Sequence, residues 1–279
     1  MCETAVHPPR REVPSNPQAR AVEVIARDGV LLRAWLFTPS APTANAVLVL
    51  HGIADSRAGQ MGLARMFLDR GYVVLAPDSR AHGESGGDLA TYGLLEADDV
   101  HRWVSWIIGD RHPLHVFGMG ESLGAAVLIE SLPVESRFSA IAADSAFASF
   151  ERIARDRLAE MLPFPLEIGR FLAAPPVWAG FVYARLRYGL DFWAASPQAA
   201  IARSTTPVLL IHGLNDTKTP FQHSEILAAS NRNTTTLWLV PGAGHTGAFG
   251  TAPREFEARV LGFFEAYQNL PPGIHDREK

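Results

Sequence analysis

Cysteine is almost missing from this chain of 279 residues, whose single one is Cys2. No internal disulfide can form, and neither a thiolate metal site nor a cysteine nucleophile can be built in a core. Runs of basic residues are missing too. Lys and Arg total 25 against 29 Asp and Glu, giving a net charge of −4, so the chain lacks the electrostatic footprint of a nucleic-acid binder. Nor is any apolar run long enough for a bilayer. The longest charge-free apolar stretch, Phe171 to Ala184, contains Pro175 and Pro176 and falls short of the roughly 20 residues a span needs. The opening, with His7, Pro8, Pro9, Arg10 and Arg11, has no signal-peptide pattern. These absences point to a cytoplasmic protein with a small-molecule partner, no nucleic acid and no transmembrane segment. A lipoprotein anchored through Cys2 is the alternative. Oligomeric state leaves no trace in the sequence.

What is present is ordinary globular composition, 47% hydrophobic and 19% charged, enough to bury one large core. Residues 1–20, with Pro8, Pro9, Pro14 and Pro17 and no apolar period, read as an extended arm. Val22 to Ala26 and Leu31 to Phe37 flank Asp28-Gly29, a hairpin signal. Continuous apolar runs follow at Val47–Leu50, Val73–Ala76, Val116–Met119, Ile141–Ala143, Val208–Ile211 and Leu237–Val240. Unbroken rather than alternating hydrophobicity marks strands covered on both faces, as in a parallel sheet. Helical stretches lie between them at Gly62–Asp69, Glu96–Ile108, Leu123–Ser131, Phe221–Ala229 and Arg254–Tyr267. The fold class is therefore α/β, a mostly parallel, doubly wound sheet. One interval, from Asp144 to Val208, is far longer than a crossover requires. Its surplus, residues 148–195, is helical in pattern and aromatic, and reads as an inserted helical cap between core segments 21–147 and 196–270; residues 271–279 form a tail.

Gly120-Glu121-Ser122-Leu123-Gly124 is a Gly-x-Ser-x-Gly pentapeptide between an apolar strand and a helical stretch. That placement is a nucleophile elbow, a tight turn that presents Ser122 at the carboxyl edge of the sheet. The same glycines begin a dinucleotide fingerprint, but its third glycine would fall at Leu123, so that reading fails. Glu121 reads as a surface residue of the turn. A serine hydroxyl needs a base, and the base needs an acid to fix its tautomer. Of His51, His82, His101, His112, His115, His212, His223 and His245, only His245 lies in a glycine-rich loop just after the last strand, Pro241 to Gly244. His212 reads as a packing residue at a strand end. Asp216 is the acid of choice and Asp144, ending the preceding strand, its competitor; the order Ser122, Asp216, His245 is the one typical of hydrolases built on such sheets. Negative charge on a carbonyl oxygen would meet the backbone N–H groups of Leu123 and Ile53. The cluster Asp78 to Gly86 reads as a carboxylate and a guanidinium shaping a loop. No metal and no cofactor is called for.

Taken together these residues resemble the α/β-hydrolase superfamily, from about Ala21 to Tyr267. The closest likeness is to its prolyl oligopeptidase-related and serine aminopeptidase-like esterase branch. His51-Gly52, the Asp78 to Ser85 cluster, Thr91-Tyr92-Gly93, the elbow, and Ser196-Pro197 ahead of Pro207 to Gly213 carry it. The resemblance implies nucleophile Ser122, acid Asp216, base His245 and oxyanion amides at Ile53 and Leu123. The expected chemistry is hydrolysis of a carboxylic ester through an acyl-enzyme. An aminopeptidase or amidase, an acyltransferase, and a non-catalytic lipid- or partner-binding protein are the alternatives. An aminopeptidase would need a free acid for the substrate ammonium, with Glu151, Asp156, Glu160, Glu167 and Asp191 the candidates in the cap region. Phe147, Phe171, Trp178, Phe181 and Trp193 are expected to wall an apolar acyl pocket.

Overall fold

A computed structural model describes residues 5–268, so the expectations for Cys2 and for the tail at 271–279 lie outside the described residues. Strands β1 (Arg20–Ile25), β2 (Leu31–Phe37), β3 (Asn45–Leu50), β4 (Val73–Pro77), β5 (His115–Glu121), β6 (Phe138–Asp144), β7 (Val208–Gly213) and β8 (Thr235–Val240) form one sheet in the order β1-β2-β4-β3-β5-β6-β7-β8. The hairpin β1–β2 and the β2–β4 pair are antiparallel; every later pair is parallel. Strand β3 shows why its run is unbroken. Its period of two sends Leu48 and Leu50 into one apolar cluster and Val47 and Val49 into the other.

Helices α1 (Met61–Leu68), α2 (Glu96–Arg111) and α3 (Leu123–Ser131) cover both faces. On one, Trp103 and Ile107 of α2 and Leu128 of α3 are buried. On the other, Phe67 of α1 packs with helix α9 (Pro253–Gln268), whose Phe264 stacks on Phe117 of β5 at 4.5 Å. The interval between β6 and β7 holds α4 (Phe150–Ala159), α5 (Leu166–Tyr188) and the short α6 (Pro197–Ile201), while α7 (Gln222–Ser230) and α8 (Ala248–Thr251) follow β7 and β8. Helix α5 continues through Pro175 and Pro176. No helix among the described residues is long and apolar enough to cross a membrane.

Helix α4 is locked to the core through charge. Asp156, wholly buried, accepts from His223 Nε2 at 2.9 Å and from Arg170 at 2.5 Å. His223 in turn accepts the Ala148 N–H on Nδ1 at 2.9 Å, which leaves its proton on Nε2. The loop after β4 also depends on ions: Arg80 makes a bidentate pair with Asp99 of α2, both bonds 2.7 Å, while Asp78 is held by Arg57. The expected loop-shaping role therefore has two separate pairs, and neither joins Asp78 to Arg80.

The described part of the N-terminal arm reaches the core. Val6 is completely buried in the core cluster that holds Leu48. Its carbonyl accepts from Ala90 N–H at 2.8 Å. Within an unpatterned, proline-rich segment Val6 is thus a core residue, a placement that sequence period cannot reveal.

Candidate active site

The turn after β5 begins with a backbone constraint. Ser122 has φ 51° and ψ −114°, a conformation that side chains other than glycine hold only under tertiary restraint. The restraint is close packing: a Cβ on Gly120 would lie 2.6 Å from Gly124, and one on Gly124 would lie 2.4 Å from the Leu50 carbonyl oxygen. Only hydrogen fits at both places, so strand, turn and helix close tightly enough to lift the hydroxyl clear. Ser122 N–H donates to the Asp144 carbonyl at 2.8 Å, which completes the clamp.

His245 Nε2 stands 2.9 Å from Ser122 Oγ, and His245 Nδ1 stands 2.8 Å from Asp216 Oδ2. With Nδ1–H donating to the carboxylate, the bare Nε2 accepts from the serine hydroxyl. Asp216 Oδ1 accepts the backbone N–H groups of Lys218 at 2.9 Å and Thr219 at 2.8 Å. Burial alone would push the Asp216 carboxyl up; hydrogen bonds from His212, His245 and Thr219 overcome it and hold the group well below the usual carboxylate range.

Asp144, the competing acid, bonds its neighbour Ser145 and not His245. Its Oδ1 accepts from Ser145 Oγ at 3.0 Å and its Oδ2 is buried without a partner. Burial, and then the neighbouring charge of Glu121, push its carboxyl far above the ordinary range. Glu121 is not the surface residue expected. It is half buried and accepts from Gln60 at 2.9 Å, because the elbow presses it against the turn at Arg57–Gln60.

Two histidines carry more than packing. His212 is wholly buried, donates from Nε2 to the Thr219 carbonyl at 2.8 Å and lies 3.2 Å from Asp216 Oδ2, so it shapes the acid's loop. His51 donates from Nδ1 to the Gly52 carbonyl at 2.7 Å and accepts Ser79 N–H on Nε2 at 3.0 Å. That carbonyl belongs to the same peptide unit as the Ile53 N–H, so His51 fixes its orientation. Burial holds the His51 imidazole below its ordinary value, in the neutral form this bonding needs. A His-Gly pair closing each of two strands was the available signal.

Ile53, Leu123, Ser122 and His245 all line a cavity of ≈ 560 Å³. Leu123 opens α3, so its N–H is one that the helix leaves without an internal partner. Among the five aromatics expected in the wall, Phe147 and Phe181 line this cavity. Phe171, Trp178 and Trp193 do not: they are 78%, 46% and 39% exposed. Helical phase is the reason, since Val177 and Phe181 share the inner face of α5 and a step of one residue turns Trp178 outward. There its Nε1 donates to Glu151 at 2.7 Å. Trp193 instead meets Phe181 edge-on at 5.2 Å. Phe150, Phe192 and Tyr92, aromatics not expected in the wall, line the cavity as well.

A model of the family described as "Alpha/beta hydrolase family" matches residues 47–259. The Bacillus subtilis protein YqkD is 28% identical over 80% of this chain and 72% of its own length. The monoacylglycerol lipase of Mycolicibacterium smegmatis is 26% identical over 71% of this chain and 80% of its own length. The Pyrococcus furiosus esterase Pf2001 matches in fold with a TM-score of 0.76 at 24% identity, covering 94% of this chain and 99% of that one.

Proposed function

Since the chain belongs to the alpha/beta hydrolase family, we propose that it hydrolyses carboxylic esters of apolar acids through an acyl-enzyme on Ser122. The observation that carries this reading is the relay from Ser122 Oγ through His245 to Asp216, 2.9 and 2.8 Å per link, on the wall of a mostly apolar cavity. Ser122 Oγ attacks the ester carbonyl carbon as its proton passes to His245 Nε2. The oxyanion is received by the N–H groups of Ile53 and Leu123, a contribution of about 2.7–4 kcal/mol per donor in comparable sites. Collapse expels the alcohol, which takes the proton from Nε2. Water then gives a proton to the same nitrogen, attacks the acyl carbon and releases the acid and Ser122.

An ester is favoured over a peptide with a free amino end because the acids near the site are already paired. Of the five candidates only Glu160 lines the cavity, and Arg157 holds it at 2.7 Å. Asp156 is taken by Arg170 and His223, Glu151 by Arg155 and Glu167 by Arg170. Among the described residues no carboxylate other than the paired Glu160 lines the cavity, so none is left to attract an ammonium.

A fluorophosphonate probe tests the reading. It should form one covalent adduct on Ser122, and Ser122→Ala should lose both the adduct and turnover of a p-nitrophenyl ester, down to within about a thousandfold of the uncatalysed rate. Full turnover in a natively folded Ser122→Ala protein would assign the nucleophile elsewhere.

A further inference from the structure

We propose that the N-terminal strap Ala5–Arg10 is the specificity-determining wall of the acyl cavity, with residue 5 setting how long an acyl chain it accepts. The proposal rests on the carboxylic-ester reading. Ala5 lines the same cavity as Ser122 and His245, although it lies outside the sheet and outside the helices inserted between β6 and β7. Its neighbour Val6 is fully buried among the residues that include Phe147, Phe150 and Phe181. The strap therefore occupies a place in the apolar layer that a solvated arm would not take.

Its fastening is specific to the loop that precedes α2. The Ala5 carbonyl accepts from the Tyr92 hydroxyl at 2.8 Å, and the Tyr92 ring stacks on Phe150 with centroids 3.8 Å apart. Arg10 donates to the carbonyls of Ser85 at 2.5 Å, Gly87 at 2.6 Å and Gly83 at 3.2 Å. His7 Nδ1 lies 2.8 Å from the Asp88 carbonyl, and its ring meets Tyr188 of α5 edge-on at 6.1 Å. The strap is thus tied to the core on one side and touches the inserted helices on the other. Backbone and Arg10 do the tying, so the side chain at position 5 is free to set the shape of the wall. A methyl group there leaves room that a larger side chain would fill. Carbon atoms of a long acyl group need that room, whereas an acetyl group at Ser122 does not.

The test compares wild type, Ala5→Leu, Ala5→Phe and a protein lacking residues 1–10, with the ratio of kcat/KM for dodecanoyl and acetyl p-nitrophenyl esters as the readout. The ratio should fall stepwise with side-chain size, tenfold or more for Ala5→Phe. It should also fall without the strap, because chain carbons beyond the missing wall meet water. In parallel, 11-(dansylamino)undecanoic acid is titrated into Ser122→Ala protein with and without Ala5→Phe, where binding should weaken tenfold or more. Ratios and probe affinity that stay level in natively folded variants overturn the wall. A wild type that cleaves no carboxylic ester overturns the function instead, and the probe titration then still decides the wall.

Discussion

Asp144 and Asp216 end or follow neighbouring strands and are held in opposite states. Asp216, with two histidines and two backbone N–H groups around it, is held well below the usual carboxylate range; Asp144, enclosed and with one oxygen unpaired, is pushed well above it. Asp216→Asn should therefore leave His245 in the wrong tautomer and lower kcat by up to about four orders of magnitude. Asp144→Asn keeps the shape of a side chain that bonds Ser145 and not His245, and retains the backbone carbonyl that holds Ser122 N–H, so kcat at neutral pH should stay within a few-fold. A larger loss in the second variant would reverse the two roles. The stability consequence has a definite sign. A carboxyl whose folded pKa lies above its ordinary 3.8 contributes stability that is complete below that value and is lost as pH rises toward the folded one. The Tm of Asp144→Asn relative to wild type should thus climb as pH is raised from 3.8, and a constant difference would show that Asp144 ionises normally.

Helix α5 has few polar positions to set its phase. From Phe171 to Ala184 it carries no charge, so nothing in the sequence distinguishes the side that meets the cavity from the side that meets solvent. That is why Phe181 and Trp178, only three positions apart, were expected together, although Phe181 lines the cavity and Trp178, about 60° round the helix, is half exposed. The strands were legible for the converse reason: burial on both faces writes itself as an unbroken apolar run. The elbow was legible because its glycine requirement is local. The histidines were legible only as positions: a His-Gly pair closes each of two strands, but His51 and His212 act on backbone carbonyls, which any residue supplies. Phe181, 5% exposed and in contact with Phe150 and Phe192, should cost about 3 kcal/mol or more when cut to Ala. It should also change the acyl-length profile. Trp178→Ala should lower Tm without altering that profile; a shift of the preferred length in this variant would put the indole inside the substrate path.

The sheet gathers its chemistry from distant parts of the chain. Ser122 hangs on β5 at the centre, Asp216 follows β7 and His245 follows β8 at the far edge. Helix α9 then covers the face on which Phe117 of β5 lies. A chain ending at Val240 keeps Ser122 and Asp216 but lacks both His245 and this cover. It should show no turnover and no native near-ultraviolet circular dichroism; hydrolysis by this fragment would mean that another base serves Ser122.

The separation of 123 residues between serine and histidine also orders events during synthesis. At about 5–20 residues per second, the ribosome delivers the nucleophile on the order of ten seconds before the base. Until His245 has emerged, Ser122 lacks the imidazole that stands 2.9 Å from its hydroxyl in the folded chain. On the proposed mechanism, turnover would therefore await the emergence of His245 from the tunnel, and the cover supplied by α9 would follow later still.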